Sequence, residues 1–527
     1  KIGLVDFVVP KEKLYSLATV LLPTLLKQAE EKQGTVQAYI MKTFVARKFI
    51  FQKALENVRN LTKVFYPAPL KILEQVEKNY GKERATYLQS EASIFAELSQ
   101  TSQSKNLRNV FFLTDNAKKL YPKANDNFKA VKVGAAVGAG TMGGGIAWLF
   151  AKNNQNPYLK DLNQAALELG LKQSSKNFQS ELKKRKITND DFERLQRSII
   201  PTLSYNGFKK VDLVVEAVVE NMNIKKSVFA DIEKNVTADC LLTSNSSSLS
   251  INEMAQALSD SSRFAGLHFF NPVHKMPLVE IIKHQIISEK TITSLYQWAL
   301  KVKKTPIVVN DGPGFLVNRI LMPFINEAAY LLEEGVSIKK LDDAVLNFGM
   351  PMGPCRLMDE IGIDVLVKVG HIMQEGLGKR ATPSSLSEKA TALGFLGKKS
   401  GKGFYIYDSV ESGQTINQEI LKTLPSVNKE MDEREIQMRV ILPMINEAAN
   451  ILADGITDKA QTIDIGMIYG TGFPPFRGGL LKYADNEGLE KIVHSLESYA
   501  NTVSADRYTP SPFLKELATN KKKFYDL

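Results

Sequence analysis

The chain has 527 residues, 44% apolar and 24% charged, with a formal net charge of +11. These proportions exclude a disordered or fibrous class, and the length predicts about three or four domains. Two cysteines, Cys240 and Cys355, exclude a disulfide framework and fit a reducing, cytoplasmic setting.

Residues 1–10 read as a short strand-like fragment ending at Pro10. Residues 11–130 follow with helical periodicity, for example Leu14, Leu17, Leu21 and Leu25 on one face. The apolar run 17–26 contains Pro23 and is too short to span a bilayer, and no signal-peptide pattern is visible. Tyr66-Pro67-Ala68-Pro69 breaks the helical pattern and Tyr121-Pro122 ends it. The region holds no glycine-rich loop or catalytic cluster and reads as a helical connector.

The stretch 131–162 is the most informative. An apolar run flows into GAGTMG at 138–143, then into an apolar-striped helix and a second strand-like run ending in Lys160-Asp161. Strand, glycine turn, helix, strand and acid together make a dinucleotide grip. Gly138 allows the tight turn, Gly140 lets backbone approach a pyrophosphate, and Gly143 lets helix and strand pack closely. The helix N-terminus offers unpaired N–H groups to the phosphates. Asp161, about 20 residues on, sits where a carboxylate accepts from a ribose 2′-OH, and it would repel a 2′-phosphate. The cofactor is therefore expected to be NAD and not NADP. Asn156-Pro157 interrupts the second strand, so the proline belongs at its first residue or on an edge.

Strand and helix alternate to residue 310, with buried-looking strands within 211–219, 240–244, 267–270 and 306–309. Tyr205 and Lys209 have the spacing of a short-chain dehydrogenase pair. Asn206-Gly207 between them reads as a turn, which excludes the continuous helix that pair requires. Ser244 to Ser248 follow a strand end, where small hydroxyls either bond a nicotinamide or substrate oxygen or cap a helix at Ile251. Of five histidines, His268 stands in GLHFFNP at a strand's carboxyl end, where ligands of such sheets bind. Glu280 lies near enough in sequence to hold its tautomer and stabilise its cation. The competing reading is a satisfied core histidine between phenylalanines; the strand-end position favours catalysis. Asn318, in DGPGFLVNR, opens the helical half.

That half contains a repeat. Asn326-Glu327-Ala328-Ala329 recurs as Asn446-Glu447-Ala448-Ala449, and the same offset maps Arg319 onto Arg439, Pro323 onto Pro443 and Gly335 onto Gly455. A period this long means a duplicated helical domain. GKKSGKGFYIYD at 397–408 separates the copies. The expected domains are 1–130, a strand fragment with helical linker; 131–310, a Rossmann-type NAD domain with a parallel sheet; and two all-α domains, 311–410 and 425–527. Basic clusters at 183–186 and 521–523 are scattered and carry no zinc-ligand spacing or RNA-binding aromatic motif, so nucleic acid is the poorest partner. Solvated helix faces account for most of them, and a phosphate-rich ligand such as coenzyme A would use a few.

GAGTMGGGIA, VVEAVVEN, GLHFFNPVHKMPLVEII, PIVVNDGPGFLVNR, PMGP, GKGFYIY and GFPPFRGG, in this order, resemble the 3-hydroxyacyl-CoA dehydrogenase family. The resemblance is to its multifunctional type, found in bacterial fatty-acid β-oxidation complexes, with two dehydrogenase C-terminal domains. It implies an acyl-CoA substrate, His268 as acid/base, Glu280 as its orienting group, and Ser247 and Asn318 at the reacting oxygen. It also implies Met142, Asp161, Glu220, Lys225, Ser247 and Asn271 along the NAD site, Tyr469 reaching the acyl-CoA, and a thiolase β-subunit as partner. That type begins with an enoyl-CoA hydratase/isomerase domain. GLVDFVV resembles only its tail, so most of that domain is expected to be missing, with hydration confined to a longer parent protein. The alternative is a non-catalytic NAD-binding scaffold, which has no need for His268, Glu280, Ser247 and Asn318 together.

Overall fold

The computed structural model describes residues 12, 15–23, 43–63, 65–121, 128–407, 415–425 and 429–527, so the strand expected at 1–10 lies outside them. Contacts divide the chain into two units, 1–104 and 105–527. In the smaller, the helices Phe44–Thr62, Pro67–Asn79 and Arg84–Gln100 form as the periodicity predicts. Thr43 caps the first, accepting from the Ala46 amide. The Tyr66-Pro67 break is a helix start, with Pro67 at the first helical position, where the missing N–H costs nothing. The second and third of these helices meet through polar groups: Ser90 Oγ donates to Gln75 Oε1 at 2.6 Å, and Gln75 Nε2 donates to the Tyr87 carbonyl.

The larger unit is built on one eight-stranded sheet in the order β3-β2-β1-β4-β5-β6-β7-β8. The strands are β1 (Gly134–Val137), β2 (Tyr158–Lys160), β3 (Ile200–Thr202), β4 (Leu213–Glu216), β5 (Leu241–Ser244), β6 (Phe264–Phe269), β7 (Leu278–Lys283) and β8 (Thr305–Asn310). Every residue of β1, β4, β5 and β6 is buried. Alternate residues feed opposite faces: Ala135, Val137 and Val214 enter one apolar core, Ala136, Leu213 and Val215 the other. Pro157 immediately precedes β2, and its carbonyl accepts from Ile200, so the ring interrupts no ladder bond. Tyr205 and Lys209 are parted by Gly207 at φ +90°, the expected turn.

The sheet departs from the expected parallel one at a single place, where β7 runs antiparallel to β6. Parallel neighbours need a crossover of about a dozen residues or more, and the 270–277 connection is shorter than that.

Past β8 the chain is helical. The helices Val317–Glu333 and Glu433–Ala453, each with its repeat proline inside, lie antiparallel against one another. Arg319 Nε donates to Glu447 Oε1 at 2.7 Å, and Arg439 Nε to Glu327 Oε1 at 2.7 Å. Arg319 also meets Asp454 and Arg439 meets Glu334, so each ion pair has its counterpart under the repeat offset. The copies are joined by a local two-fold. Stretch 397–408 is not a separator as far as it is described: the Phe404 and Tyr405 amides donate to Asp359, fixing it to the first copy.

Each copy also buries a pair of aspartates bridged by a tyrosine. Tyr405 OH donates to Asp342, and Tyr525 OH to Asp464, while Asp485 accepts from the Phe524 and Tyr525 amides. Burial pushes Asp359 up to about 6 and Asp464 up to about 7, from an ordinary 3.8. The folded carboxyls thus hold protons that the unfolded chain releases, so their ionisation works against the fold. Their effect is absent below the unfolded value and grows as pH rises toward about 7, where stability is lost. Asp464→Asn should flatten the fall in Tm across this window; an unchanged slope counts against the assignment.

Candidate active site

The carboxyl ends of the parallel strands converge on the β1–β4 boundary, the point where strand order reverses and such sheets bind ligands. Gly138 leaves β1 at φ +102°, and a Cβ there would lie 2.5 Å from the Ala217 carbonyl oxygen. A Cβ on Gly143 would meet Gly138 O at 1.7 Å, so the helix Thr141–Lys152 can approach the strand only with glycine there. Gly140 faces open space, and as N-cap it supplies no side-chain acceptor to the helix's first N–H groups. Open space before uncapped amides fits a pyrophosphate. Met142, half-buried, is the second residue of this helix.

Asp161 follows β2 directly. Its Oδ2 accepts from the Ala139 amide at 2.6 Å, which fixes the carboxylate beside the glycine turn with acceptor capacity left for a diol. Asp161→Ala should weaken NAD binding and leave the affinity for a CoA ligand unchanged. Equal loss of both, measured by calorimetric titration, would refute the ribose assignment.

His268 and Glu280 face each other across β6 and β7 as register partners. His268 Nδ1 lies 2.6 Å from Glu280 Oε2, and both side chains are buried. The other carboxylate oxygen, Oε1, accepts from the Leu316 and Val317 amides at 3.3 and 3.1 Å, the start of the helix Val317–Glu333. One buried carboxylate thus ties the imidazole to the first helical copy. With Nδ1 committed to Glu280, Nε2 is the nitrogen left to exchange a proton. Phe270 and Phe315 flank the ring, 4.4 and 5.9 Å between centroids.

Between the glycine turn and His268 lies a polar cluster. Lys225 Nζ donates to Glu216 Oε1 at 2.7 Å and lies 3.3 Å from Glu220 Oε2. Glu220 Oε1 accepts from Ser246 Oγ and from the Ser247 amide. Burial alone would raise the Glu220 carboxyl, but Lys225, Ser246 and Ser247 together outweigh it and hold it below its ordinary value. Asn318 Nδ2 donates to the Ser247 carbonyl at 2.9 Å, so these two expected neighbours do meet. Asn271 is exposed just beyond β6. Tyr469 lies in the helix Ala460–Thr471 of the second copy, its hydroxyl 2.9 Å from Thr114 Oγ1.

The family model for the 3-hydroxyacyl-CoA dehydrogenase NAD-binding domain matches residues 133–312, and that for the C-terminal domain matches 314–407 and 436–524. The chain belongs to the 3-hydroxyacyl-CoA dehydrogenase family. The dehydrogenase is 39% identical over its whole length to the fatty acid oxidation complex subunit alpha of a Shewanella species, covering 75% of that protein. Among solved structures it resembles 3-hydroxybutyryl-CoA dehydrogenase from Escherichia coli K12 (27% identity, TM-score 0.65, 75% of this chain and 100% of that one). It also resembles the dehydrogenase part of multifunctional enzyme 1 from C. elegans (27% identity, TM-score 0.57, 77% and 96%). NAD is its cofactor, and the glycine turn, uncapped helix and Asp161 fit that group.

Sequence reading missed three groups of the dehydrogenase. Glu216, wholly buried, lay hidden inside an apolar run and read only as strand. Asn245 Oδ1 accepts from the Phe269 amide, tying the β5 exit to the residue after His268. Lys304 donates to the Val273 and Met276 carbonyls at 2.5 and 2.6 Å, bracing the loop after β6; burial lowers it to about 8. No short-range pattern marks these residues, because each has a partner 24 or more residues away: Ser244 for Glu216, Phe269 for Asn245, and Val273 and Met276 for Lys304. The second copy also reaches the sheet: the Asn310 amide donates to the Ile456 carbonyl, and Gly470 packs on Leu278.

Proposed function

We propose that this chain oxidises L-3-hydroxyacyl-CoA to 3-ketoacyl-CoA in fatty-acid β-oxidation, with His268 as the acid/base. The observation carrying this is the buried His268–Glu280 pair at the carboxyl edge of an NAD-binding sheet, anchored to the helix bearing Asn318. NAD, when bound, supplies the hydride acceptor. His268 Nε2 takes the 3-hydroxyl proton, and Glu280 stabilises the imidazolium through Nδ1. Asn318 keeps one amide N–H free after bonding Ser247, and with the Ser247 hydroxyl it holds the substrate oxygen. Gly138, Gly140, Met142, Gly143, Asp161, Glu220, Lys225, Ser247 and Asn271 line the cofactor, and Tyr469 contributes to the acyl-CoA side.

The NAD-binding domain is taken as 131–310 and the helical copies as 311–410 and 425–527, after a linker to 130. A cytoplasmic location and a thiolase β-subunit partner belong to this reading; the fatty acid oxidation complex named for the relatives supports the latter. Among the described residues no helix is long and apolar enough to cross a membrane, and no group of acidic, histidine or cysteine side chains is placed to hold a metal.

The test is NADH formation from an L-3-hydroxyacyl-CoA, run beside the matching enoyl-CoA with NAD. Turnover of the hydroxyacyl compound supports the reading, and turnover of both adds a hydratase. Silence on both with NAD bound would leave a cofactor-binding scaffold instead.

A further inference from the structure

The Glu216–Lys225 pair takes no part in proton transfer, yet it stands at the carboxyl ends of β4 and β5, inside the crevice wall. Glu216 is 0% exposed and Lys225 1%. Stability does not explain it, since removing two charges from water costs about what their attraction returns. Glu216 is held at every turn: Lys225 and the Val218 amide donate to Oε1, and Ser244 Oγ donates to Oε2. Through Lys225 the pair reaches Glu220, 35% exposed on the crevice side, which in turn holds Ser246 and Ser247. Two carboxylates and one ammonium leave a single net negative charge, fixed in place by bonds on every member.

With the adenosine ribose at Asp161 beyond β2 and the pyrophosphate at the glycine turn after β1, the rest of the cofactor must run away from β2. It crosses the ends of β4 and β5 toward His268 on β6. That end carries a ring that is cationic when oxidised and neutral when reduced. Asn245 and Asn318 bind the same β5 exit to β6 and to the first helical copy, so the charged cluster is one loop from the acid/base.

We propose that Glu216, acting through Lys225 and Glu220, shifts this site's relative affinity toward the oxidised cofactor by fixing one net negative charge in the crevice wall between the glycine turn and His268. This rests on the dehydrogenase reading of the site, and Glu216 is a positioning residue in it. Glu216→Gln keeps the side-chain shape and the Ser244 and Val218 contacts but leaves the cluster neutral. Removing Lys225 as well, in the Glu216→Gln/Lys225→Met double variant, restores the single negative charge on Glu220.

Dissociation constants of NAD+ and NADH, measured on the full chain without turnover, decide it. In E216Q the constant for NAD+ should rise about tenfold more than that for NADH, and in the double variant the ratio should return to within about threefold of wild type. Glu220→Gln makes the same change of charge on a partly exposed residue and should shift the ratio alike, which keeps the test decisive if E216Q fails to fold. Equal weakening of both forms in every variant, or an unmoved ratio, would overturn the inference and reduce the pair to a structural strut. Failure of the wild-type chain to bind either form would overturn the dehydrogenase reading itself.

Discussion

Replacing His268 with glutamine is expected to lower kcat for L-3-hydroxyacyl-CoA oxidation by about 10²–10⁴-fold, the usual worth of a placed general base. NAD affinity should hold, because the glycine turn, Asp161 and the Glu216–Glu220 cluster make no direct contact with the imidazole. Glutamine keeps a donor facing Glu280, so the Glu280 grip on the Leu316 and Val317 amides survives and the helix carrying Asn318 stays docked. The loss should therefore fall on kcat, with little change in the KM for NAD. A variant that loses NAD binding in step with turnover would mark His268 as a core histidine.

The largest stability effect is expected at Arg439. This guanidinium is 1% exposed and serves Glu327, Glu334 and the Tyr508 hydroxyl together. Arg439→Met leaves Glu327, itself 1% exposed, with Arg507 as its remaining cationic partner. Removing one side of such a pair typically costs ~3–5 kcal/mol, whereas replacing both with apolar groups is often near neutral. Urea unfolding should show the single variant far less stable than Arg439→Met/Glu327→Leu. Arg319→Met should behave like Arg439→Met, since its partners are the repeat equivalents. A cost below ~1 kcal/mol would place the pair with surface bridges.

The nucleotide half was largely legible because its signals are local. The glycine turn, the acid after β2 and the short apolar runs each sit within a few residues of the feature they specify. Two strands escaped. Ile200–Thr202 is three residues with a proline in the middle, and Leu278–Lys283 had drawn notice only for its glutamate. The short 270–277 connection already carried the antiparallel sense of β7. Pairings that close over distance were invisible: Asn318 with the Ser247 carbonyl, Glu280 with two helix amides, Glu216 with Ser244. Each needs the sheet order before its partners can be named. The repeat offset did carry one long-range message, since it made Arg319 and Arg439 equivalent before either had a known partner.

That equivalence has a consequence for how the helical copies respond to dilution. Two identical surfaces meeting about a two-fold ordinarily belong to separate molecules, and their union then weakens as protein becomes scarce. Here both faces sit on one polypeptide, so each helix meets its mate at an effective concentration set by the intervening chain. The union of Val317–Glu333 with Glu433–Ala453 is unimolecular, and it holds the floor beneath Glu280 as firmly in a trace of enzyme as in a concentrated one.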